Sequence, residues 1–168
     1  MRNELFRSRN GLAVTPAQSP EPDTLDLDRF VPYRLSVVTN RISNAIAAEY
    51  SERFGLSIAE WRVMAVLGSA PGLSARDVAT RTEMDKVQVS RAVANLVRKK
   101  RVLREVDDAD ARVSRLFLSS RGKTVYDQIV PLALGLERRL LEILTPEERV
   151  SLDRLLRKLS GHAKGLES

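Results

Sequence analysis

Hydrophobic positions recur three and four residues apart over most of this chain, which is the spacing of one helical face. Over residues 28–54 this stripe comprises Val31, Leu35, Val38, Ile42, Ala45, Ile46 and Tyr50. After Gly122 it resumes with Val125, Ile129, Leu132, Leu136, Leu140 and Leu144, and then with Leu152, Leu155, Leu156 and Leu159. The pattern predicts long amphipathic helices at about 28–54 and 121–163, on either side of a shorter middle region.

Polar residues in the middle region mark where its helices begin. Ser57 precedes Glu60 by three residues, Ser74 precedes Asp77, and Asp85 precedes Gln88. A serine or aspartate three residues before a carboxylate or amide is typical of a helix N-terminus, where it accepts from free backbone N–H groups. Helices are therefore expected from 57, 74 and 85, the last reaching about Lys100.

Two strand-like segments follow, at 102–107 and 112–119, around a polar link at 108–111. They predict a β-hairpin. The fold class is then mainly α with a small hairpin wing: a winged helix-turn-helix core at about 57–120 with N- and C-terminal dimerisation helices. We expect one domain over 26–168 after a proline-containing arm at 1–25. The flanking stripes hold more apolar surface than one small core can bury, which favours dimerisation.

Composition argues against an enzyme. The chain has no cysteine and a single histidine, His162, so one chain cannot supply a thiolate metal site or a histidine-based triad. No phosphate loop or metal-ligand spacing is present. We predict no catalytic residues, no metal and no cofactor; a cofactor-free enzyme using Asp, Glu, Tyr or Lys stays an alternative. The absence of a long apolar run or a signal-like start leads us to expect a cytoplasmic protein without a membrane partner.

Positive charge is concentrated in one short segment. The net charge is +6, and residues 81–101 contain seven lysines and arginines against two acidic residues. In the helix from 85, apolar residues at 89, 92, 93, 96 and 97 form the buried side, and polar side chains remain on the surface. Glutamine and arginine read adenine and guanine edges. The candidate DNA-binding residues are Lys86, Gln88, Ser90, Arg91 and Asn95.

The hairpin adds a second group of candidates. Asp110 and Arg112 lie at its tip and Arg115 follows. An arginine on a wing can enter a narrow minor groove, where the negative potential is enhanced. An exposed ion pair without any DNA contact is the alternative for this loop.

The segment from Leu73 to Gly122 resembles the core of the MarR family of transcriptional regulators. The likeness rests on VQVSRAVANLVRKKRVL, the D-x-R of the wing and the LFLSSRGK transition into a long helix, and extends over about 29–163. Lys100-Arg101 departs from it, since family members commonly have a glycine there. The resemblance implies a homodimeric repressor that binds a pseudo-palindromic operator on double-stranded DNA and is released by a small aromatic or anionic ligand.

For that effector, the resemblance suggests an aromatic acid or a hydroxycinnamoyl-CoA thioester, and hence a role in aromatic compound catabolism. Guanidinium groups bind carboxylate and phosphate bidentately, which suits an aromatic and arginine-rich surface. Trp61 and Met64 fit a plain hydrophobic core equally well, and the arginines of the first helix fit a dimer interface. The candidate ligand-binding residues are Tyr33, Arg34, Val37, Arg41, Trp61, Met64 and Tyr126.

Two further functions remain open from the sequence. The basic helix of a helical dimer also suits an acidic protein partner, which would make the chain a protein-interaction module. An activator with the same fold is equally compatible, because the sign of regulation depends on where the operator lies relative to the promoter.

Overall fold

The architecture, given by a computed structural model, is mainly helical with a two-stranded hairpin, as predicted. The structure describes residues 24–107, 112 and 114–166. Its elements are α1 (Val31–Phe54), α2 (Ile58–Ser69), α3 (Ala75–Thr82), α4 (Lys86–Arg98), β1 (Val102–Val106), β2 (Ser114–Leu118), α5 (Ser120–Leu141), α6 (Pro146–Ala163) and a final 3-10 turn, Lys164–Leu166. Nearly all of the predicted arm lies outside the described residues.

The helix starts predicted from capping residues are confirmed. Ser57 and Glu60 form a reciprocal capping box, with Ser57 N donating to Glu60 Oε2 at 2.8 Å. Ser74 and Asp77 form the same arrangement at the start of α3. Asp85 accepts from the Gln88 amide at 2.8 Å, so α4 begins where its sequence indicates.

Two glycines inside helices allow neighbouring elements to approach closely. α2 continues through Gly68 to Ser69, and a Cβ at Gly68 would collide with the ring of Tyr126, so this glycine allows α2 and α5 to pack closely. α5 begins at Ser120, with Ser119 as its N-cap, within one residue of the predicted start at about 121. A Cβ at Gly122 would overlap the carbonyl of Arg101, so this glycine allows α5 to pack closely on the chain.

The hairpin is antiparallel, with Val102 opposite Leu118 at one end and Val106 opposite Ser114 at the other. β1 is one residue shorter than predicted, and β2 is three residues shorter. Leu73 forms an isolated bridge to Leu116, through Leu116 N donating to Leu73 O at 2.9 Å. This bridge attaches the wing to the segment between α2 and α3.

The core lies among α2, α3, α4 and the hairpin, and it includes Tyr50 of α1 and Ile129 of α5. The chain divides into two compact units, one up to Val37 and one from Val38 onward. In the second unit, α6 contains no buried residue. No helix in the described part of the chain is both long and apolar enough to cross a membrane.

Candidate nucleic-acid interface

A three-residue turn fixes α4 relative to α3. Glu83 adopts a left-handed conformation with φ of 50°, and its N–H bonds to Ala79 O, which closes α3. Met84 is buried, and Asp85 then caps α4. Two short helices joined in this way form a helix-turn-helix.

One face of α4 anchors it in the core and the other is open. Val89, Ala92, Val93 and Leu96 are buried, as predicted. Val97 was also expected to be buried, but it is 37% exposed in the last turn of α4, where it lines an open surface groove with Leu103 of β1. The five DNA-binding candidates predicted on this helix are all exposed, namely Lys86, Gln88, Ser90, Arg91 and Asn95.

Val87 is a candidate that the sequence interpretation missed. It lies on α4 between Lys86 and Gln88, and its side chain is 58% exposed. A valine on the polar side of an amphipathic helix is the signal that would have identified it. Apolar side chains in a recognition helix contact the methyl group of thymine, so Val87 extends the set of base-contacting candidates.

Two of the seven basic residues in 81–101 make contacts that hold the fold together. Lys99 Nζ lies 2.8 Å from Glu60 Oε1 and donates to Gly55 O at 2.7 Å. Arg101 is buried and donates to the carbonyl of Phe54, and burial lowers the pKa of its guanidinium. The remaining five cations of this segment are exposed.

The wing residues differ in how they are held. Arg112 lies exposed in a turn. Arg115 forms an ion pair with Asp107 and donates to Gly72 O at 3.3 Å, so it also ties the hairpin to the α2–α3 segment. Asp110 lies outside the described residues.

Three of the predicted ligand-binding residues are packed in or against the core. Met64 is fully buried. The ring of Trp61 lies between Tyr50 and Tyr126, with centroid distances of 5.7 and 5.9 Å. Burial also raises the pKa of Tyr50 to about 12. Their role in ligand binding stays a prediction.

The other four ligand candidates lie on α1. Tyr33, Arg34 and Arg41 are exposed, and Val37 is half-buried. Arg41 lies beside Ile42 and Ala45 in a shallow apolar groove shared with Leu136 and Leu140 of α5. These four also stay predictions.

A separate polar cavity lies on the side of α2 that faces α4. It has a volume of about 420 Å³ and is bounded by α1, α2 and α4. Arg62 of α2 is held there by a 3.2 Å hydrogen bond from its Nη2 to Ser43 Oγ on α1. Gln88, Arg91 and Asn95 of α4 line the opposite side, so three DNA-binding candidates also border this cavity.

An exposed basic helix, anchored by its apolar side and followed by a paired hairpin, defines a winged-helix DNA-binding protein. A family model described as the MarR family matches residues 54–113. A MarR-family regulator of known structure from Silicibacter pomeroyi is 30% identical, with 81% of this chain and 92% of that chain covered and a TM-score of 0.69. The chain belongs to the MarR family of transcriptional regulators.

Two further solved structures are similar over nearly their whole length. A MarR/EmrR family regulator from Acinetobacter sp. ADP1 is 28% identical, with 84% of this chain and 99% of that chain covered and a TM-score of 0.78. BpsR from Bordetella bronchiseptica, whose DNA binding is regulated by 6-hydroxynicotinic acid, is 25% identical, with 82% and 97% covered and a TM-score of 0.73.

Proposed function

We propose that this regulator is a repressor that binds a pseudo-palindromic operator as a homodimer and is released by a small aromatic or acyl-CoA ligand. The observation that carries the DNA-binding part is the exposed row on α4, with its opposite face fixed in the core. Base readout requires side chains held at a constant orientation, and a helix anchored by Val89, Val93 and Leu96 meets that requirement.

The apolar surface of the flanking helices supports the homodimer. On α6, Leu155, Leu156 and Leu159 are each nearly half exposed, although they share one side of the helix. On α5, Leu140 is 42% exposed and Ile143, just beyond its end, is 82% exposed. Contiguous apolar patches of this kind mark interaction sites, and a second copy of the chain would cover them reciprocally.

The effector part rests on likeness and chemistry. BpsR responds to an aromatic acid, and it covers most of this chain at 25% identity. Exposed arginines on α1 offer bidentate partners for a carboxylate or phosphate. A repressor released by an aromatic compound suits control of the genes that degrade that compound, which is the biological role we propose.

The proposal is tested with operator-like DNA in fluorescence anisotropy. Replacing Gln88 or Arg91 with Ala should cost about 1–3 kcal/mol and relax the preference at particular base positions. Arg112→Ala should weaken binding through the minor groove. Arg157→Ala on α6 is the matched control, because its side chain is exposed and pairs with Asp153 on its own helix. Equal losses for all four variants would contradict the assigned surface.

A further inference from the structure

Two cations from the turn after α4 bind carbonyl groups at the C-terminal end of α1. Lys99 Nζ donates to Gly55 O at 2.7 Å, and Arg101 Nη2 donates to Phe54 O. The last carbonyls of an α-helix have no partner within the helix, and this end of the helix attracts positive charge. These contacts join α1, one of the helices predicted to form the dimer, to α4, which carries the base-contacting candidates.

The backbone of Arg101 is fixed by two other elements. Its N–H donates to Leu96 O at 2.8 Å and closes α4, and its carbonyl accepts from Ser119 N at 3.0 Å, just before α5. Gly122 packs directly against the same carbonyl, where a Cβ would overlap it. Arg101 is therefore a single residue at which α1, α4 and α5 are joined.

The guanidinium of Arg101 has few partners for a buried charge. The residue is 8% exposed, and among the described residues its Nε and Nη1 have no hydrogen-bond partner. Burial lowers the pKa of this guanidinium, Arg121 lowers it further, and Glu60 opposes the change. A buried cation with missing hydrogen bonds costs folding free energy, and an apolar side chain of similar size is often as stable or more so. Its contribution to stability therefore does not account for an arginine at this position.

We propose that Arg101 is a positioning residue that holds α4 at one orientation to α1, so that the two α4 helices of a dimer reach half-sites of one separation. The separation of half-sites on DNA follows from the geometry of the dimer that binds them. A side chain that fixes α4 to α1 acts on that separation without touching DNA. This inference rests on the proposed homodimer and its DNA binding, and the second of its two experiments requires neither.

The first experiment compares Arg101→Met with the wild type on two DNA duplexes. One carries the full operator obtained by selection from a random library, and the other carries a single half-site. Arg101→Met should weaken binding to the full operator about tenfold and leave binding to the single half-site unchanged. When the spacer between half-sites is lengthened or shortened by one base pair, the variant should discriminate less than the wild type.

Unfolding in urea separates positioning from ordinary stabilisation. Arg101→Met should unfold at the same urea concentration as the wild type or a higher one, because it removes two unpartnered nitrogen atoms from the interior. Arg101→Lys keeps a cationic donor and should recover most of the affinity for the full operator. Equal losses of Arg101→Met on both duplexes would assign Arg101 to general stabilisation of α4 and overturn the inference, and a lower urea midpoint would do the same.

Arg121→Met is the matched control. Arg121 is an exposed cation at the start of α5 that interacts electrostatically with Arg101, so its replacement removes the same charge from the same region without breaking a contact to α1. It should bind both duplexes like the wild type. A loss on the full operator as large as that of Arg101→Met would show an effect of charge alone and overturn the inference.

A second experiment measures the orientation of α4 without DNA. The chain has no cysteine, so Ala48→Cys on α1 and Ala94→Cys on α4 place one spin label on each helix, both at exposed positions. Labelled chain is diluted with an excess of unlabelled chain, so that pulsed electron paramagnetic resonance reports the distance within one chain. Arg101→Met should shift or broaden the distance distribution, whereas Arg121→Met should not.

The two experiments separate this inference from the proposed function. Distances that change in Arg101→Met, in a protein without sequence-specific DNA binding, would retain the role of Arg101 in orienting α4 and overturn the proposed function. An unchanged distance distribution in Arg101→Met would overturn the inference, even in a protein that binds its operator as proposed.

Discussion

The winged core and the C-terminal helix of this chain bury their apolar residues to opposite degrees. In the core, Val63, Val78, Val93 and Leu96 have no exposed surface. In α6, which is longer than α2, α3 or α4, no residue is buried and four leucines are 38–48% exposed. Both regions have apolar stripes of helical period. Hydrophobic periodicity alone therefore does not distinguish an apolar residue that is buried within one chain from one that stays exposed on its surface.

The difference indicates where each part of the function is specified. The core orients α4 and the wing within a single chain, because buried residues of α4 and of both strands belong to it. The flanking helices carry the surface that we propose for dimerisation, so spacing between two α4 helices depends on the assembly. In the proposed dimer, reading of a half-site and spacing of half-sites would therefore depend on different regions of the sequence.

The sharpest test of this comparison removes one leucine from each region. Leu96→Ala should lower the free energy of unfolding by about 2–5 kcal/mol, since it creates a cavity at a fully buried site. Leu155→Ala should lower it much less at low protein concentration, where the chain is monomeric. Urea unfolding at two protein concentrations gives both values.

Concentration dependence separates the two kinds of leucine. The proposed dimer predicts that the effect of Leu155→Ala grows with protein concentration, whereas the effect of Leu96→Ala does not. An effect of Leu155→Ala as large as that of Leu96→Ala in the monomer would contradict the assignment of α6 to an interface.

The next largest effect concerns Tyr50, where the core reaches α1. Burial raises its pKa from 10.0 to about 12, so the folded state favours the neutral phenol. This contribution is complete below pH 10 and is lost as pH rises from 10 to 12, because the unfolded phenol ionises first. Between pH 9 and pH 11 the wild type should lose roughly 1.4 kcal/mol more than Tyr50→Phe. Identical losses would place Tyr50 in contact with water.

The smallest effect concerns backbone strain in the turns of the winged core, where two described non-glycine residues have a positive φ. Lys100 has φ of +55° at the turn after α4. Lys100→Gly should raise the urea midpoint by the equivalent of about 0.5 kcal/mol. Glycine adopts this conformation without a Cβ clash, which stabilises the folded state, and its greater freedom in the unfolded chain offsets part of that gain. Glu83→Gly, with φ of +50°, provides a second position for the same test. A lower midpoint would show that the lysine side chain stabilises the turn.

Local signals in the sequence were sufficient for the helix starts and the hairpin. Ser57, Ser74 and Asp85 each accept a hydrogen bond from a backbone N–H within the next three residues, so the interaction that starts the helix is contained in a few positions. Local signals do not show which positions must be glycine for neighbouring elements to pack. A Cβ at Gly68 would collide with the ring of Tyr126, and a Cβ at Gly122 would overlap the carbonyl of Arg101, so residues distant in sequence require a glycine at both positions.

The kind of candidate site was predictable from the sequence, but the number of cations on its surface was not. The exposed polar residues of α4 follow from its apolar period. The use of Lys99 by Glu60 and of Arg101 by the end of α1 depends on contacts 39 and 47 residues apart in sequence. The polar cavity bordered by Arg62 and Gln88 is lined by residues of three helices, so no local sequence pattern predicts it.

The most direct test of the central claim is selection of bound duplexes from a random DNA library by the full chain at ~150 mM salt, scored against non-specific DNA. A homodimeric winged-helix regulator should enrich a pseudo-palindrome and prefer it by roughly 10³ or more. Absence of enrichment from a folded, dimeric protein would contradict the account and assign α4 to an acidic protein partner instead.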